Sequence, residues 1–324
     1  MLYPLKFKPI LQSKIWGGEK IKKYKFAENF KENIGEVWLL SGVEGNETLV
    51  ENGNLLNSTI NDAIEVFMSD LLGEKIYQEY GDFFPLLYKI IDANDNLSVQ
   101  VHPDEDISMI LEDASPKNEM WYVLDADNEA KIYLGFNKDI DALEVKKSIE
   151  ENTILSLLNE VKVKSGDVYF IPAGTIHALG RGVVVAEIQQ ASDTTYRVWD
   201  WNRTDEKGNS RELHIEEALQ SFNYAKTIVE SMKSASKMNG VSRLIKTPYF
   251  TANEMLLNKS FEKDYSDIDS FVCLLCVKGN GYIKQNGVET SIEEGEVVLL
   301  PAITEKITIE TNNAIRILES YIDN

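Results

Sequence analysis

Histidine, cysteine and positive charge are all scarce in this chain. Among 324 residues there are 3 histidines and 2 cysteines, and 33 Lys and Arg stand against 53 Asp and Glu, for a formal net charge of −20. Each shortage excludes something. Excess acid works against nucleic-acid binding, which needs a basic surface to neutralise phosphates, and against docking on anionic membranes. It leaves room for a small anionic substrate, because a metal ion and a few local cations can set the field inside a pocket while the outer surface stays acidic. The two cysteines, Cys273 and Cys276 in FVCLLCVKG, have no second pair with which to build a four-thiolate site. Three apart in an apolar run of strand composition, they face opposite ways and read as separate buried thiols in a reducing compartment. No apolar run reaches membrane-spanning length, and MLYPLKFKPILQSKIWGG lacks the continuous apolar stretch of a secretory signal, so a soluble, cytoplasmic protein is expected. No GxGxxG or Walker-type loop occurs, so no nucleotide is indicated.

What is abundant is strand. Runs such as EVWLLSG (36–42), LSVQVHP (97–103), EMWYVLDA (119–126), DVYFIPA (167–173) and GVVVAEIQQ (182–190) are short and rich in Val, Ile, Tyr and Phe, with Gly, Asn, Asp and Pro between them. That pattern predicts a mainly β protein of antiparallel sandwiches or barrels. Helical periodicity interrupts it at about 55–81, with Ser58 or Asn61 as caps, at 138–160 as two short helices, and at 211–223. The absence of regular β-α alternation argues against a parallel doubly wound sheet.

A gapless internal match sharpens this reading. SGDVYFIPAGTIHAL (165–179) aligns with EGEVVLLPAITEKIT (294–308), pairing Gly166 with Gly295, Pro172 with Pro301, Ala173 with Ala302 and Thr175 with Thr304. Two copies imply two related β-domains. The expected division is 1–235, carrying the helical insertions, and 236–324, a plainer second copy without metal ligands, with the boundary in the polar VESMKSASKMNGVS stretch. All five tryptophans lie before residue 202, and the second copy has Lys306 where the first has His177. The first copy is therefore the working one.

Its scarce residues gather in a few places. In LSVQVHPDE, Ser98, Gln100 and His102 share one strand face opposite Leu97, Val99 and Val101, which suits the lining of a polar cavity. Lys117 and Glu119 share a face two residues apart. Two imidazoles and a carboxylate (His102, His177, Glu119) suit zinc or another borderline divalent ion with a position left open, and Gln100 could add a weak oxygen; each residue taken alone reads more readily as structural. The third histidine, His214, reads as a residue in the first turn of a helix. Glu187, after VVVA, is either a buried proton-transfer carboxylate or one half of a salt bridge. Arg197, between aromatics in TTYRVW, is either a salt-bridge anchor or a guanidinium aimed at a phosphate or enediolate. The glycines of KIWGG (14–18) either let backbone approach a ligand or form a turn.

In this order, SKIWGG, FPLLYKIIDA, LSVQVHPDE, PKNEMWYVL, FIPAGTIHALG and QQASDTTYRVWDW resemble the type I mannose-6-phosphate isomerases, in particular their short bacterial form. The resemblance covers residues 3 to about 225 in specific motifs and the remainder more loosely. It implies tandem cupin (jelly-roll) domains and one Zn²⁺ per chain. The ligands it implies are His102, Glu119 and His177, with Gln100 as a fourth in longer members. It implies a catalytic role for Arg197, and Ser98 and Lys117 as lining of the sugar-phosphate pocket. Aldose–ketose isomerisation then needs a base to move a proton between C2 and C1, for which Glu187 is the candidate, with Arg197 stabilising the enediolate and Lys117 and Ser98 holding the phosphate. The expected partner is a sugar phosphate, with the chain a monomer or weak homo-oligomer. A different metal-dependent cupin, or a non-catalytic sugar-binding one, is the alternative.

Overall fold

A computed structural model describes residues 2–25, 32–204, 208–233 and 236–323. The β-rich runs become antiparallel strands, arranged as two sandwiches. In the first, a seven-stranded sheet runs in the order Met232–Lys233, Asp167–Ile171, Glu119–Ala126, Val183–Gln190, Leu86–Ala93, Ile10–Gly18, Ile34–Leu40. Facing it is a five-stranded sheet of Tyr196–Trp199, Val99–Val101, His177–Leu179, Lys131–Phe136 and Leu158–Lys162. The second sandwich pairs another seven-stranded sheet with a four-stranded one, and its core is built from both, with Leu274, Val298 and Ile317 against Ile283, Ile307 and Ile309. Cys273 and Cys276 lie in different cores on opposite faces of the strand Val272–Lys278, as their spacing predicts.

The two large sheets pack back to back. Strand alternation makes this possible: Val184, Ala186 and Ile188 point into the shared core with Cys273, Leu275 and Leu318, while Val183 and Val185 point into the first sandwich. Val183–Gln190 is therefore buried on both faces, which explains its near-continuous apolar sequence. Two early strands, Leu5–Lys8 and Leu49–Val50, join the edge of the second sandwich's large sheet, with Leu5 opposite Leu299. Chain from both ends thus contributes to one sheet.

Helices fill in around this frame. The 55–81 stretch forms three short helices, Ile60–Phe67, Ser69–Leu72 and Glu74–Tyr80. Their first cap is Thr59, in a capping box with Asp62, rather than Ser58 or Asn61. The 138–160 stretch forms one α-helix, Ala142–Glu150, a 3-10 turn Ile154–Leu157 and then a strand. Among the described residues, no helix is long and apolar enough to cross a membrane. The KIWGG glycines serve close packing: a Cβ on Gly17 would stand 2.2 Å from the Asn33 carbonyl oxygen, and one on Gly18 would meet the Asp92 carboxylate at 2.5 Å.

Candidate metal centre and cavity

Strand register brings the scarce histidines together. His177 opens its strand directly opposite Gln100, so its imidazole comes beside the polar face of LSVQVH. His102 follows the end of Val99–Val101, and Glu119 opens an interior strand of the facing sheet, opposite Ile171 and Gln189. The two sheets deliver the three side chains to one place, where each residue is only 1% exposed and their ligand atoms lie within 4.8 Å of one another. His102 Nε2 is 3.4 Å from Glu119 Oε2, and His177 Nε2 is 3.3 Å from Glu119 Oε1.

The tautomers follow from the other ring nitrogens. His102 Nδ1 is 2.8 Å from the Thr194 carbonyl, and His177 Nδ1 is 2.8 Å from the Thr175 carbonyl. A carbonyl only accepts, so both Nδ1–H groups donate and both Nε2 lone pairs face Glu119. Burial, together with the charge of Lys117, holds the His102 imidazole well below its usual pKa. Burial pushes His177 down to about 4. Both rings are neutral at pH 7. Two lone pairs facing a carboxylate is a poor arrangement by itself and a good one for a divalent cation. The two histidine–glutamate separations match the edge of a tetrahedron with bonds of about 2.0–2.1 Å, about 3.3 Å. The donor set therefore fits zinc.

One turn holds both histidines. Gly174, at φ +81°, donates its N–H to the His102 carbonyl at 2.8 Å, three residues before His177. A Cβ there would stand 3.0 Å from the Ser221 carbonyl oxygen. Gly174→Ala is expected to cost about 1 kcal/mol or more in urea denaturation, with metal affinity falling as the two ligands lose their common tether.

The cluster lies beside a cavity of about 420 Å³ between the sheets. Every residue expected at the site is there or touches it. Glu187 faces the cavity, 2% exposed, with Oε1 accepting from Trp121 Nε1 at 2.8 Å and Lys89 Nζ 3.3 Å from Oε2. Burial and the nearby Glu119 raise its pKa. Lys117 Nζ lies 3.0 Å from both Glu119 Oε2 and His102 Nε2, and burial's pull on its charge is outweighed by Glu119 and Glu187. Gln100 Nε2 is 3.3 Å from His177 Nε2; exchanging the amide's N and O would turn oxygen toward the cluster. Ser98 Oγ is 3.3 Å from Gln100 Oε1 and accepts from Arg197 Nε at 3.3 Å. His214, expected in the first turn of a helix, is instead the residue just before the helix Ile215–Ser221, and it grips the Arg197 backbone. Its N–H donates to the Arg197 carbonyl at 2.8 Å, and its Nδ1 accepts from the Arg197 N–H at 3.3 Å.

Several charged cavity residues have no role in the sequence reading, among them Lys14, Glu36, Lys89, Asp193 and Arg211. Lys89 has a usable signal, being the one charge inside the apolar run FPLLYKII. Its Nζ donates to Gln189 Oε1 at 2.8 Å. Burial works against the charge on Glu36, but Lys89 and Lys14 outweigh it and hold that carboxyl below its usual range. Arg211 begins the stretch read as helical, 211–223, but the helix starts only at Ile215, and nothing local marks Arg211 for the cavity.

Comparison with known proteins agrees with this geometry. The type I phosphomannose isomerase catalytic domain matches residues 4–133, and the mannose-6-phosphate isomerase cupin domain matches residues 241–322. GmuF of Bacillus subtilis (strain 168), a probable mannose-6-phosphate isomerase, is 32% identical over 314 residues, which is 96% of this chain and 97% of that one. The crystal structure of a mannose 6-phosphate isomerase from Bacillus subtilis superposes with a TM-score of 0.87 at 28% identity, covering 98% of this chain and 99% of that chain. A zinc-bound mannose 6-phosphate isomerase shares the fold at a TM-score of 0.76 and 17% identity, over 99% of this chain and 100% of that one. Matched to relatives at this identity along nearly its whole length, with tandem β-sandwiches and a buried His–Glu–His cluster, the chain belongs to the type I mannose-6-phosphate isomerase family.

Proposed function

We propose that this chain is a zinc-dependent isomerase that interconverts mannose 6-phosphate and fructose 6-phosphate by proton transfer through an enediolate. The observation that carries the reading is the convergence of two neutral imidazoles and Glu119 beside a cavity that also holds Glu187, Lys117 and Arg197. His102, Glu119 and His177 would hold the ion, with the Gln100 amide oxygen as a fourth ligand. Bound there, zinc would act as a Lewis acid on the substrate's C1 and C2 oxygens.

The remaining steps fall to the chain's own residues. Glu187 takes the proton from C2 of the aldose as its carboxylate and returns it to C1 as the acid. The C2–H electron pair becomes the C1=C2 bond of the enediolate as the C1=O pair moves onto O1. A proton passes from the C2 hydroxyl to O1, and protonation at C1 with re-formation of C2=O gives the ketose. The raised pKa of Glu187, from burial and the nearby Glu119, suits this exchange, since it makes the carboxylate a stronger base than an exposed glutamate. Trp121 Nε1 fixes the carboxylate's orientation. Lys117 and Ser98, expected to hold the phosphate, are reassigned on position: Lys117 Nζ, 3.0 Å from Glu119 Oε2 and from His102 Nε2, is suited to the oxygens near the reacting carbons. Ser98 orients Arg197, whose guanidinium offsets the charge that develops on the substrate. All these residues come from one chain, so a monomer suffices for turnover. The first copy, residues 1–235, carries the chemistry, and 236–324 supports it through the shared core.

The decisive measurement is turnover of mannose 6-phosphate by the zinc-loaded chain, with fructose 6-phosphate read through a coupled reporter enzyme. Absence of turnover at full metal occupancy overturns the reading.

A further inference from the structure

Next to Arg197 the cavity wall holds a second guanidinium, Arg211. The two are brought together by the backbone. Arg197 Nη1 donates to the carbonyl of Glu212 at 2.8 Å, and the paired bonds between Arg197 and His214 clamp the 211–214 segment alongside. Two guanidiniums with nothing between them repel, and Arg211 is one of the charges that lower the pKa of Arg197, after burial. The counter-charge is Asp200, which is 6% exposed. It accepts from Arg211 Nε at 2.7 Å and from Arg211 Nη2 at 2.6 Å, and also from Arg203 Nη2. That two-point contact fixes the plane of the Arg211 fork and leaves Nη1 without a partner among the described residues.

Asp200 is itself held by an unusual turn. Trp201 and Asn202 follow it with φ of +58° and +53°, two successive left-handed residues, one of them a tryptophan. The turn persists because the Trp201 indole donates to the Leu97 carbonyl at 2.7 Å and lies 4.5 Å from the Trp199 ring. Backbone in this region costs energy that surrounding structure must offset. Here the result is a buried carboxylate aimed at a cavity arginine.

Position says what Arg211 is for. Contacts lead from His177 to Gln100, to Ser98, to Arg197, and then to the segment that carries Arg211. Arg211 is thus the last member of this series, with Gln100, Ser98 and Arg197 standing between it and His177. A hexose 6-phosphate placed with C1 and C2 at those ligands has its dianion at the far end of its carbon chain. A planar, pre-aimed guanidinium is the side chain best matched to a phosphate there. We propose that Arg211 is a substrate-binding residue for the phosphate of the sugar phosphate, and that Asp200 is the positioning residue that aims it. The assignment of the phosphate to a sugar phosphate rests on the isomerase reading; the anion seat itself does not.

The test uses the full zinc-loaded chain and inorganic phosphate as probe, with affinity measured by calorimetry, and kcat and KM for mannose 6-phosphate measured in parallel. Arg211→Met is expected to weaken phosphate about 10- to 100-fold, as for loss of a charge-assisted pair, and to raise KM by a similar factor with kcat within about threefold. Arg211→Lys is expected to recover part of the affinity. Asp200→Asn, which leaves the Arg211 charge but loosens its aim, is expected to give a smaller rise of about 3- to 10-fold in both constants. A merely structural role would lower the thermal midpoint without separating KM from kcat and without rescue by lysine. Unchanged phosphate affinity in both Arg211 variants overturns the proposal even if the parent turns over. A loss of phosphate affinity in a parent that does not turn over leaves the anion seat standing and removes the isomerase reading alone.

Discussion

Replacing His177 with alanine is expected to remove stoichiometric zinc and to lower kcat by at least about a thousandfold. The site offers three strong ligands, and each is buried to 1% exposure. Removing one leaves two protein ligands and an opened space where solvent replaces a fixed imidazole. The polarising charge on the substrate is lost with the ion. The fold should survive. His177 heads a three-residue strand whose backbone pairs with Leu134 and Gln100, and Ala178 and Leu179 keep their packing. Metal per chain by elemental analysis, turnover and the thermal midpoint together distinguish the cases. A variant with one zinc per chain would sink the ligand assignment. A variant that simply unfolds would be replaced by His177→Gln, which fills the volume and offers a weaker ligand.

The second copy performs a version of this experiment. It keeps the Gly, Pro, Ala and Thr of the turn and has Lys306 where the first copy has His177, with Ile303 in place of Gly174. Lys306 is exposed and paired with Asp264 at 3.3 Å. The correspondence continues beyond the matched stretch. Glu187 is the fifth residue of Val183–Gln190, and Glu319 is the fifth residue of Ile315–Tyr321, each on a central strand of its large sheet. Glu187 lies opposite Lys89, and Glu319 opposite Asn253. Their surroundings have parted. Glu319 accepts from Asn253 Nδ2 at 2.6 Å and from the Tyr265 hydroxyl at 2.8 Å, so both oxygens are satisfied within the core. Glu187 Oε2 is 3.3 Å from Lys89 Nζ but accepts no hydrogen bond, and Glu187 lines the cavity. A glutamate with both oxygens hydrogen-bonded in the core is a structural group, and one with an oxygen held only by an ion pair at the cavity wall is placed for proton transfer.

Much of this is legible in the sequence, for identifiable reasons. Alternation in LSVQVH puts Ser98, Gln100 and His102 on one face, and scarcity makes His102 and His177 conspicuous. Strand composition predicts the mainly β architecture, which strand pairing bears out. What escapes has no local signature. The cap at Thr59 and not at its neighbours depends on where the chain leaves the second sandwich's edge, since Leu49 bridges to Thr59. Arg211 reaches the cavity through the carbonyl contact of Glu212 and the clamp at His214, both set by tertiary packing. Lys89 is legible in principle, because a lysine in a run that is buried on both faces must be pointing at something that needs its charge.

Glu187→Gln is expected to reduce kcat about a thousandfold while leaving metal content unchanged, because the amide cannot take up the C2 proton. The substitution is nearly isosteric, and its carbonyl oxygen can still accept from Trp121 Nε1, so the cavity keeps its shape. Stability gives an independent check of sign. Burial and the negative charge of Glu119 raise the pKa of Glu187, so its ionised form is disfavoured in the folded chain. A carboxyl with a raised folded pKa costs stability above its unfolded pKa, where the unfolded state is ionised without that cost. Removing the charge therefore relieves a cost, and at neutral pH the thermal midpoint of the variant is expected at or above that of the parent. The same shift predicts the parent's pH profile. As pH falls, kcat should decline through an acid limb lying above the ordinary glutamate value of about 4.3, as the base is protonated. If Glu187→Gln keeps near-parent turnover, another group moves the proton. If it loses both activity and stability, the carboxylate is half of a structural ion pair with Lys89, and the base must be sought elsewhere in the cavity.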